Sequence, residues 1–156
     1  MYSGVSRVFS LPSSDNSGIE NVYLNGTMIG FTKEEMDRKI DDIIAFADIG
    51  DFINQPVRTY SSGMYSKLAF SITAVLDTDV MLIDEGLSVG DERFKKKSFN
   101  KMKELISNKE RTVMIVSHNI QQLKDLCNTV MWMHEGKIKK IGPAEDVLNE
   151  YKEFMK

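Results

Sequence analysis

The fold class is decided by residues 79–91, which read DVMLIDEGLSVGD. Within this stretch Val80–Ile83 form a continuous apolar run that is short and bounded by acidic residues. Such a run is typical of a strand that is buried on both faces of a parallel sheet. A segment containing two glycines follows the run, and the apolar spacing then predicts a helix over about 92–107.

Strands and helices continue to alternate up to the end of the chain. A second buried strand is predicted at Val113–Val116, and a helix that carries Ile120, Leu123 and Leu126 follows it. Two further short strands joined at Glu135-Gly136 are typical of a hairpin. A last helix is predicted to begin with Pro143 at its first position. The alternation indicates an α/β layered fold.

The stretch before the first strand is predicted to be mostly helical. Two capping boxes, in which a Ser or Thr is followed by Glu three residues on, mark helix starts at Ser17 with Glu20 and at Thr32 with Glu35. The first box predicts a short helix over about 19–29. The second precedes one longer helix that we expect Gly50 to close. Ser61 or Ser62 is predicted to cap a third helix.

Composition limits the classes of function. The chain has 156 residues and a net charge of −3, and this balance gives no indication of nucleic-acid binding, which needs clustered Lys and Arg. The single cysteine, Cys127, cannot form an internal disulfide and fits a reducing compartment. No apolar run approaches the ~20 residues that cross a bilayer. We therefore expect membrane association only through a partner protein.

Asp84-Glu85 is the first candidate site, because it directly follows the Val80–Ile83 strand. Ligands of open parallel sheets bind outside the carboxyl ends of the strands. One carboxylate there can support Mg²⁺, usually through water. The next can polarise a water for attack on a phosphoryl group. The alternative is a strand that ends in acidic residues only because loops are polar.

His118 is the second candidate, since it follows the Val113–Val116 strand with only Ser117 between. A histidine at that position can reach a γ-phosphate or the attacking water. The alternative is an ordinary surface or structural histidine in a loop. His134, beside the predicted hairpin turn, serves as a comparison and receives no role.

Tyr60-Ser61-Ser62-Gly63-Met64 is the third candidate and lies at a predicted helix start. A helix N-terminus offers free N–H groups and a partial positive charge, both of which suit phosphate. Gly63 allows a phosphate to approach the backbone closely. The alternative is simple capping of the helix by serine.

The order and spacing of these motifs together resemble the ATP-binding cassette (ABC) family over residues 17–155. Tyr60–Met64 resembles its signature motif, and Val80–Asp84 its Walker B strand, with Glu85 in the place of the catalytic glutamate. Ser88–Asp91 resembles the D-loop, and His118 the switch histidine. The resemblance implies a P-loop NTPase-like fold and binding of ATP and Mg²⁺.

The amino-acid sequences of these motifs are closest to those of one branch of that family. Glu20–Gly26, Tyr60–Tyr65 and Val89–Asp91 resemble the ATPase subunit of exporters for polysaccharides and polyol phosphates, such as O-antigen and teichoic acid. The resemblance implies a cytoplasmic subunit, peripheral at the inner face of the plasma membrane. Its implied partners are a transmembrane permease subunit and a second ATP-binding subunit in a head-to-tail dimer, without nucleic acid.

The resemblance also implies a role for each candidate residue. Glu85 is expected to be the general base, Asp84 to support Mg²⁺ and His118 to contact the γ-phosphate. The signature residues Ser61, Ser62 and Gly63 are expected to close over the nucleotide of the opposite subunit, and Asp91 to lie at the dimer seam.

The family's phosphate loop, Gly-x-x-x-x-Gly-Lys-Ser/Thr, is absent, because the only Gly-Lys pair is Gly136-Lys137. The family's switch glutamine also has no counterpart, since the first glutamine is Gln55. We therefore expect an N-terminally truncated domain that does not handle ATP alone. Its expected parts are a Ser-rich remnant (1–16), a helical subdomain (17–78) and the C-terminal part of the ATPase core (79–156).

Two alternatives stay open at the level of sequence. One is a non-transport ATPase of the same superfamily, acting in DNA repair or translation, against which the acidic balance counts mildly. The other is an ATP-silent fragment or binding module, which the missing loop favours.

Overall fold

The structure, a computed structural model, describes residues 5–7, 11–76, 78–84, 90–108 and 110–156, with the backbone alone for residues 5–7 and for Asp84. The chain forms two compact units, Met1–Met114 and Ile115–Lys156.

The described elements follow one another in this order: β1 (Val5–Arg7), α1 (Gly18–Met28), α2 (Lys33–Asp37), α3 (Ile40–Ala47), two 3₁₀ turns (Gly50–Asn54 and Val57–Thr59), α4 (Ser62–Val75), β2 (Val80–Asp84), α5 (Glu92–Ser107), β3 (Thr112–Val116), α6 (Ile120–Leu126), β4 (Thr129–His134), β5 (Lys137–Pro143) and α7 (Ala144–Phe154). The longest of these helices, α5, has 16 residues. None of the described helices is long and apolar enough to cross a lipid bilayer.

A three-stranded sheet has the order β1-β2-β3. β1 runs parallel to β2, with Val5 opposite Val80 and Arg7 opposite Leu82. On β2, Met81 and Ile83 are buried and the alternate residues are half-buried. The mixed helices and parallel strands confirm the predicted α/β class.

The burial of β3 was predicted wrongly, although the strand itself is present. Val113 and Ile115 are half-buried, but Met114 and Val116 are 53% and 57% exposed. An apolar run in the sequence indicates a strand and does not show whether both of its faces are covered. Within the described residues, nothing covers the face that carries Met114 and Val116.

Both predicted capping boxes are present. The Ser17 hydroxyl accepts from the Glu20 N–H at 3.2 Å, and the Glu20 carboxylate accepts from the Ser17 N–H at 2.7 Å. The Thr32–Glu35 box at the start of α2 has the same arrangement. Each box satisfies backbone donors that a helix start leaves without partners.

The longer helix predicted after Thr32 is in fact two helices, α2 and α3, which are separated at Arg38-Lys39. Gly50 was predicted to close this helix, but it does not close α3. The helix ends at Ala47, because Asp48 adopts a left-handed conformation with φ 50° and its N–H bonds back to Ile44. Gly50 instead begins the first 3₁₀ turn.

The core of the first unit lies between the helices. It consists of buried apolar side chains from α1 to α4 and their connections: Leu11, Val22, Phe31, Met36, Ile43, Ala47, Ile49, Ile53, Val57, Leu68, Ala69, Ile72 and Leu76. Phe46, Phe70 and Phe94 add three mutual ring contacts, with centroids 5.9–6.0 Å apart, that join α3, α4 and α5. These contacts fix α4 and α5, which carry the candidate site.

The second unit is built on the predicted hairpin. β4 and β5 pair antiparallel, and Glu135 and Gly136 form the turn with positive φ values of 50° and 73°. Trp132 is buried and packs on α7, with its ring 5.4 Å from that of Tyr151. α7 begins at Ala144, one residue later than predicted. Pro143 is therefore its N-cap and not its first residue.

Candidate functional site

The start of α4 carries the predicted signature residues. Ser61, rather than Ser62, is the N-cap: its hydroxyl accepts from the Met64 N–H at 3.2 Å, and its carbonyl accepts from the Tyr65 N–H at 2.9 Å. Ser61 and Ser62 are both exposed. The hydroxyls and the first-turn N–H groups therefore face solvent at the positive end of a 14-residue helix.

No acidic residue offsets that positive end from within the helix. Among the described helices of eight residues or more, α4 is the only one without Asp or Glu in its first turn. A carboxylate in the first turn stabilises a helix by typically 0.3–1 kcal/mol at the surface. Its absence here leaves the helix dipole available to an external anion.

A cleft of about 450 Å³ opens at this helix start, and it is lined by Ser61–Met64, Ser66, Lys67, Gly90 and Asp91. A volume of this size lies within the range of small-molecule sites, about 300–1,000 Å³. The cleft belongs entirely to the first unit. It brings together four of the predicted site residues, Ser61, Ser62, Gly63 and Asp91.

Gly63 lies in the first turn of α4, where the fold itself does not require glycine. A Cβ placed on Gly63 would meet only the Ser61 hydroxyl, at 3.9 Å, which is an ordinary contact. Gly26 is different, because a Cβ there would lie 2.2 Å from the Met36 sulfur. Glycine in a helix costs roughly 0.5–1 kcal/mol relative to alanine. The room beside Gly63 is open to the cleft, so packing gives no reason for glycine at this position.

Sequence reasoning did not identify Lys67, which forms the far wall of the cleft. Its ammonium lies 2.7 Å from the Asp91 carboxylate and 5.4 Å from the centre of the Phe94 ring. The Lys67 side chain is only 15% exposed. Lys67 lies four residues after Gly63 and so on the same face of α4, but only its contact with Asp91, 24 residues away, gives it a place in the cleft.

Asp91 has two partners that hold it in the ionised form. The Lys67 ammonium and the Phe94 N–H, which donates to Asp91 at 2.9 Å, lower the pKa of the Asp91 carboxyl to about 2. The second bond makes Asp91 the N-cap of α5. Asp91 thus joins the start of α5 to α4 at the edge of the cleft.

The side chains of Asp84 and Glu85 lie outside what the structure describes. Asp84 is the last residue of β2, with its backbone alone described, and Glu85 lies outside the described residues. No group of three His, Cys, Asp or Glu side chains suited to a metal was found among the described residues. The roles of Asp84 in Mg²⁺ binding and of Glu85 as base stay predictions.

His118 lies in the second unit, where it is exposed after β3. With Ser117 it lines a cavity of about 170 Å³ between α6, the hairpin and α7. The Ser117 hydroxyl accepts from the Asn119 N–H at 3.0 Å and fixes the turn in which His118 is placed. The role of His118 toward a γ-phosphate also stays a prediction.

Curated relatives cover most of the chain. It is 46% identical over 140 residues to the teichoic acids export ATP-binding protein TagH of Levilactobacillus brevis, and 45% identical over 140 residues to that of Bacillus anthracis. It is 42% identical over 139 residues to the O-antigen export system ATP-binding protein RfbB of Myxococcus xanthus. These alignments cover 89–90% of the chain. No family model matches the sequence.

Solved structures with a similar fold are also ATP-binding proteins of the ABC type. The chain matches an ATP-binding subunit of an ABC transporter with a TM-score of 0.81 over 96% of its length, at 16% identity. The chain thus has the fold of the ABC ATPases. It also matches the dimeric ATP-binding cassette MJ0796, bound to ADP and Pi in a post-hydrolysis state, with a TM-score of 0.73 over 92% of its length, at 17% identity.

The matches leave part of each relative uncovered. The chain spans 38% of the Levilactobacillus brevis relative, 25% of the Bacillus anthracis relative and 32% of the Myxococcus xanthus relative. It spans 62% and 64% of the two solved chains. The chain therefore corresponds to only a part of each.

Proposed function

We propose that this ABC ATPase chain serves ATP-driven export of a polysaccharide or polyol phosphate, as part of a cytoplasmic subunit bound to a membrane permease. The observation that carries the proposal is the open cleft at the start of α4, where two serines, a glycine and the N-terminus of a helix with no acidic residue in its first turn face one space. The names of the relatives, which export teichoic acids and O-antigen, support the class of cargo.

The cleft suits the phosphates of a nucleotide. The Ser61 and Ser62 hydroxyls and the N–H groups of Ser62 and Gly63 can donate to phosphate oxygens, while the Met64 N–H is taken by the Ser61 cap. The Lys67 ammonium, paired with the Asp91 carboxylate, lies at the far wall. Because the 156 residues contain no phosphate loop, the nucleotide itself would be held by a second ATP-binding subunit.

The remaining residues complete the proposed reaction. Glu85 would act as general base toward the attacking water, and His118 would contact the γ-phosphate. Asp84 would support Mg²⁺ through water. When bound, the ion would neutralise part of the negative charge of the phosphates. Asp91 would lie at the seam between the two subunits, and residues 19–60 would face the permease.

The test is nucleotide-dependent association between this chain and an intact relative. The purified chain is mixed with the full-length Levilactobacillus brevis protein, and the dissociation constant is measured by sedimentation with Mg-ATP and with Mg-ADP. We expect association with ATP only. Ser61→Ala should weaken it about tenfold or more, since a hydrogen bond to a charged group contributes about 1.5–3 kcal/mol.

Thr32→Ala is the matched control for Ser61→Ala. Each substitution removes the N-cap side chain of one helix, which costs about 0.5–2 kcal/mol of stability, but Thr32 lies outside the cleft. Equal loss of association in the two variants would show that only helix capping matters. Association that ignores the nucleotide would also contradict the proposal.

A second candidate is an ATP-silent binding module, which the missing phosphate loop favours. The association test above separates the two, because association of an ATP-silent module would not depend on the nucleotide. Calorimetry of Mg-ATP with the chain alone, and with Glu85→Gln to slow turnover, tests whether the chain needs a partner. We expect no binding by the chain alone. Heat of binding in the micromolar range would mean that residues of this chain hold phosphate without a partner.

A further inference from the structure

A larger groove lies in the first unit, away from the proposed nucleotide site. It is formed by α3, the C-terminal end of α4 and α5, and has a volume of about 790 Å³. We call it the α3–α5 groove. Val75 lines it at the last residue of α4, whereas the cleft lies at Ser62, the first residue of that helix. At 1.5 Å per residue, the two ends of α4 are about 20 Å apart.

We propose that the α3–α5 groove binds an acidic peptide segment of another protein, one that also carries apolar side chains. The first observation in favour of an acidic ligand is the charge of the groove. Four cationic side chains line it, from Lys39, Lys97, Lys101 and Arg111, against the two carboxylates of Asp42 and Glu104. The chain as a whole has a net charge of −3, so the excess of cations is a local property of the groove.

Lys97 is held in the wall of the groove by contacts with α3. Its ammonium donates to the carbonyls of Ala45 at 3.2 Å and Phe46 at 2.9 Å, and it lies 4.4 Å from the centre of the Phe46 ring. A lysine fixed in this way loses little further side-chain freedom when a ligand binds.

Lys101 lies one turn further along α5, and its side chain is 25% exposed. Its ammonium bonds the Glu104 carboxylate at 2.7 Å, while the Glu104 side chain is 68% exposed. An ammonium has three donors, and this bond uses one of them. A carboxylate of a peptide in the groove can accept a hydrogen bond from one of the other two.

The floor of the groove decides between a peptide and a simple polyanion. Its apolar surface is offered by Ala45, which is exposed, and by Phe46 and Val75, which are half-buried. A polyphosphate would use the cations and leave this apolar surface without a partner. A peptide with alternating acidic and apolar residues matches both parts, as amphipathic segments do in other grooves.

Fluorescence anisotropy with labelled peptides tests the proposal on the full chain, without nucleotide. The probe is a twelve-residue peptide made of Glu-Glu-Leu repeats, and its binding should weaken as salt increases. A Lys-Lys-Leu peptide, polyglutamate of the same length and inorganic polyphosphate are the competitors. We expect only the Glu-Glu-Leu peptide to bind well, and polyglutamate and polyphosphate to bind at least tenfold more weakly.

Two variants locate the peptide, and a third serves as control. Lys101→Glu reverses a charge in the groove, and Ala45→Trp fills the groove from an exposed position on α3. Each should weaken binding about tenfold. Lys96→Glu makes the same charge reversal on α5 outside the groove and should change binding less than twofold.

Three results would overturn the proposal. One is the absence of binding, and another is equal binding of polyphosphate and the peptide. The third is an equal effect of Lys96→Glu and Lys101→Glu, which would indicate general attraction to a basic surface. Ser61→Ala should leave peptide binding unchanged, so failure of the nucleotide proposal and failure of this one can be told apart.

Discussion

The Lys67 ammonium lies 2.7 Å from the Asp91 carboxylate, and this ion pair joins the helix that carries the serines to the start of the next helix. Lys67 is largely buried, while more than half of the Asp91 side chain is exposed. Asp91 also caps α5 through the Phe94 N–H. One carboxylate thus determines how two helices meet at the cleft.

The ion pair predicts a pH dependence of stability. The pKa of Asp91 is lowered from 3.8 to about 2, so the folded chain binds this proton less readily than the unfolded chain. The stabilisation is therefore complete above pH 3.8 and is lost as the pH falls toward 2. Urea unfolding of the chain and of Asp91→Asn should show a difference that is constant near neutral pH and shrinks below pH 4. A difference independent of pH would show that Asp91 acts only as a neutral cap.

Gly63→Ala should raise the stability of the chain and weaken its ATP-dependent association with the intact relative. The substituted Cβ has room, and alanine is favoured over glycine in a helix by roughly 0.5–1 kcal/mol, so the free energy of unfolding should rise. ATP-dependent association with the intact relative should weaken, because the methyl group occupies the open space in the cleft.

Asn100→Ala is the control for Gly63→Ala, since it also introduces a better helix former at an exposed position of α5. It should stabilise the chain by a similar amount without changing association. If Gly63→Ala left association intact, glycine at this position would have no role in ligand binding.

Asn21→Asp should strongly destabilise the first unit. Asn21 is fully buried, its amide donates to the carbonyls of Ser13, Asn16 and Ser17, and its oxygen accepts from the Ser13 N–H. A carboxylate would place a charge against three carbonyl oxygens. We expect a loss of about 3 kcal/mol or more in the free energy of unfolding. Asn54→Asp, at an exposed position, should change it by less than about 0.5 kcal/mol.

Glu135→Asn should stabilise the second unit. Glu135 and Gly136 both have positive φ in a two-residue hairpin turn, and Asn-Gly is the favoured pair for that geometry. The left-handed conformation costs most residues roughly 1–2 kcal/mol, of which asparagine avoids a part. The fluorescence of Trp132, the only tryptophan, reports thermal unfolding of this unit.

Gly136→Ala provides the opposite change at the neighbouring position. No atom lies within 4 Å of the added Cβ, so any loss of stability comes from the backbone conformation alone. A stabilising effect of Gly136→Ala would contradict the assignment of this turn.

Local patterns allowed much of the fold to be predicted from the sequence. The capping boxes at Ser17 and Thr32 and the turn at Glu135-Gly136 depend on residues within four positions of one another, so a short window contains the whole cause. The break between α2 and α3 has no glycine or proline to mark it. Met36, which packs against Gly26 of another helix, shows that tertiary contacts fix the orientation of α2.

The candidate site was predictable where chemistry and position coincide in one segment, as in Ser61-Ser62-Gly63. Lys67 was not, because a lysine on a helix is usually solvated and only the contact with Asp91, 24 residues away, gives it a place in the cleft. The exposed face of β3 also could not be predicted. An apolar strand has the same sequence pattern whether or not a neighbour covers both of its faces.

The contacts of Lys97 have a consequence for the order of folding. The last carbonyls of α3 accept from a side chain 51 and 52 residues further along the chain. Closing such a long loop is slow compared with forming a capping box, whose partners are three residues apart. During refolding, amide protons at the end of α3 should therefore gain protection from exchange together with those of α5, and later than those of α1.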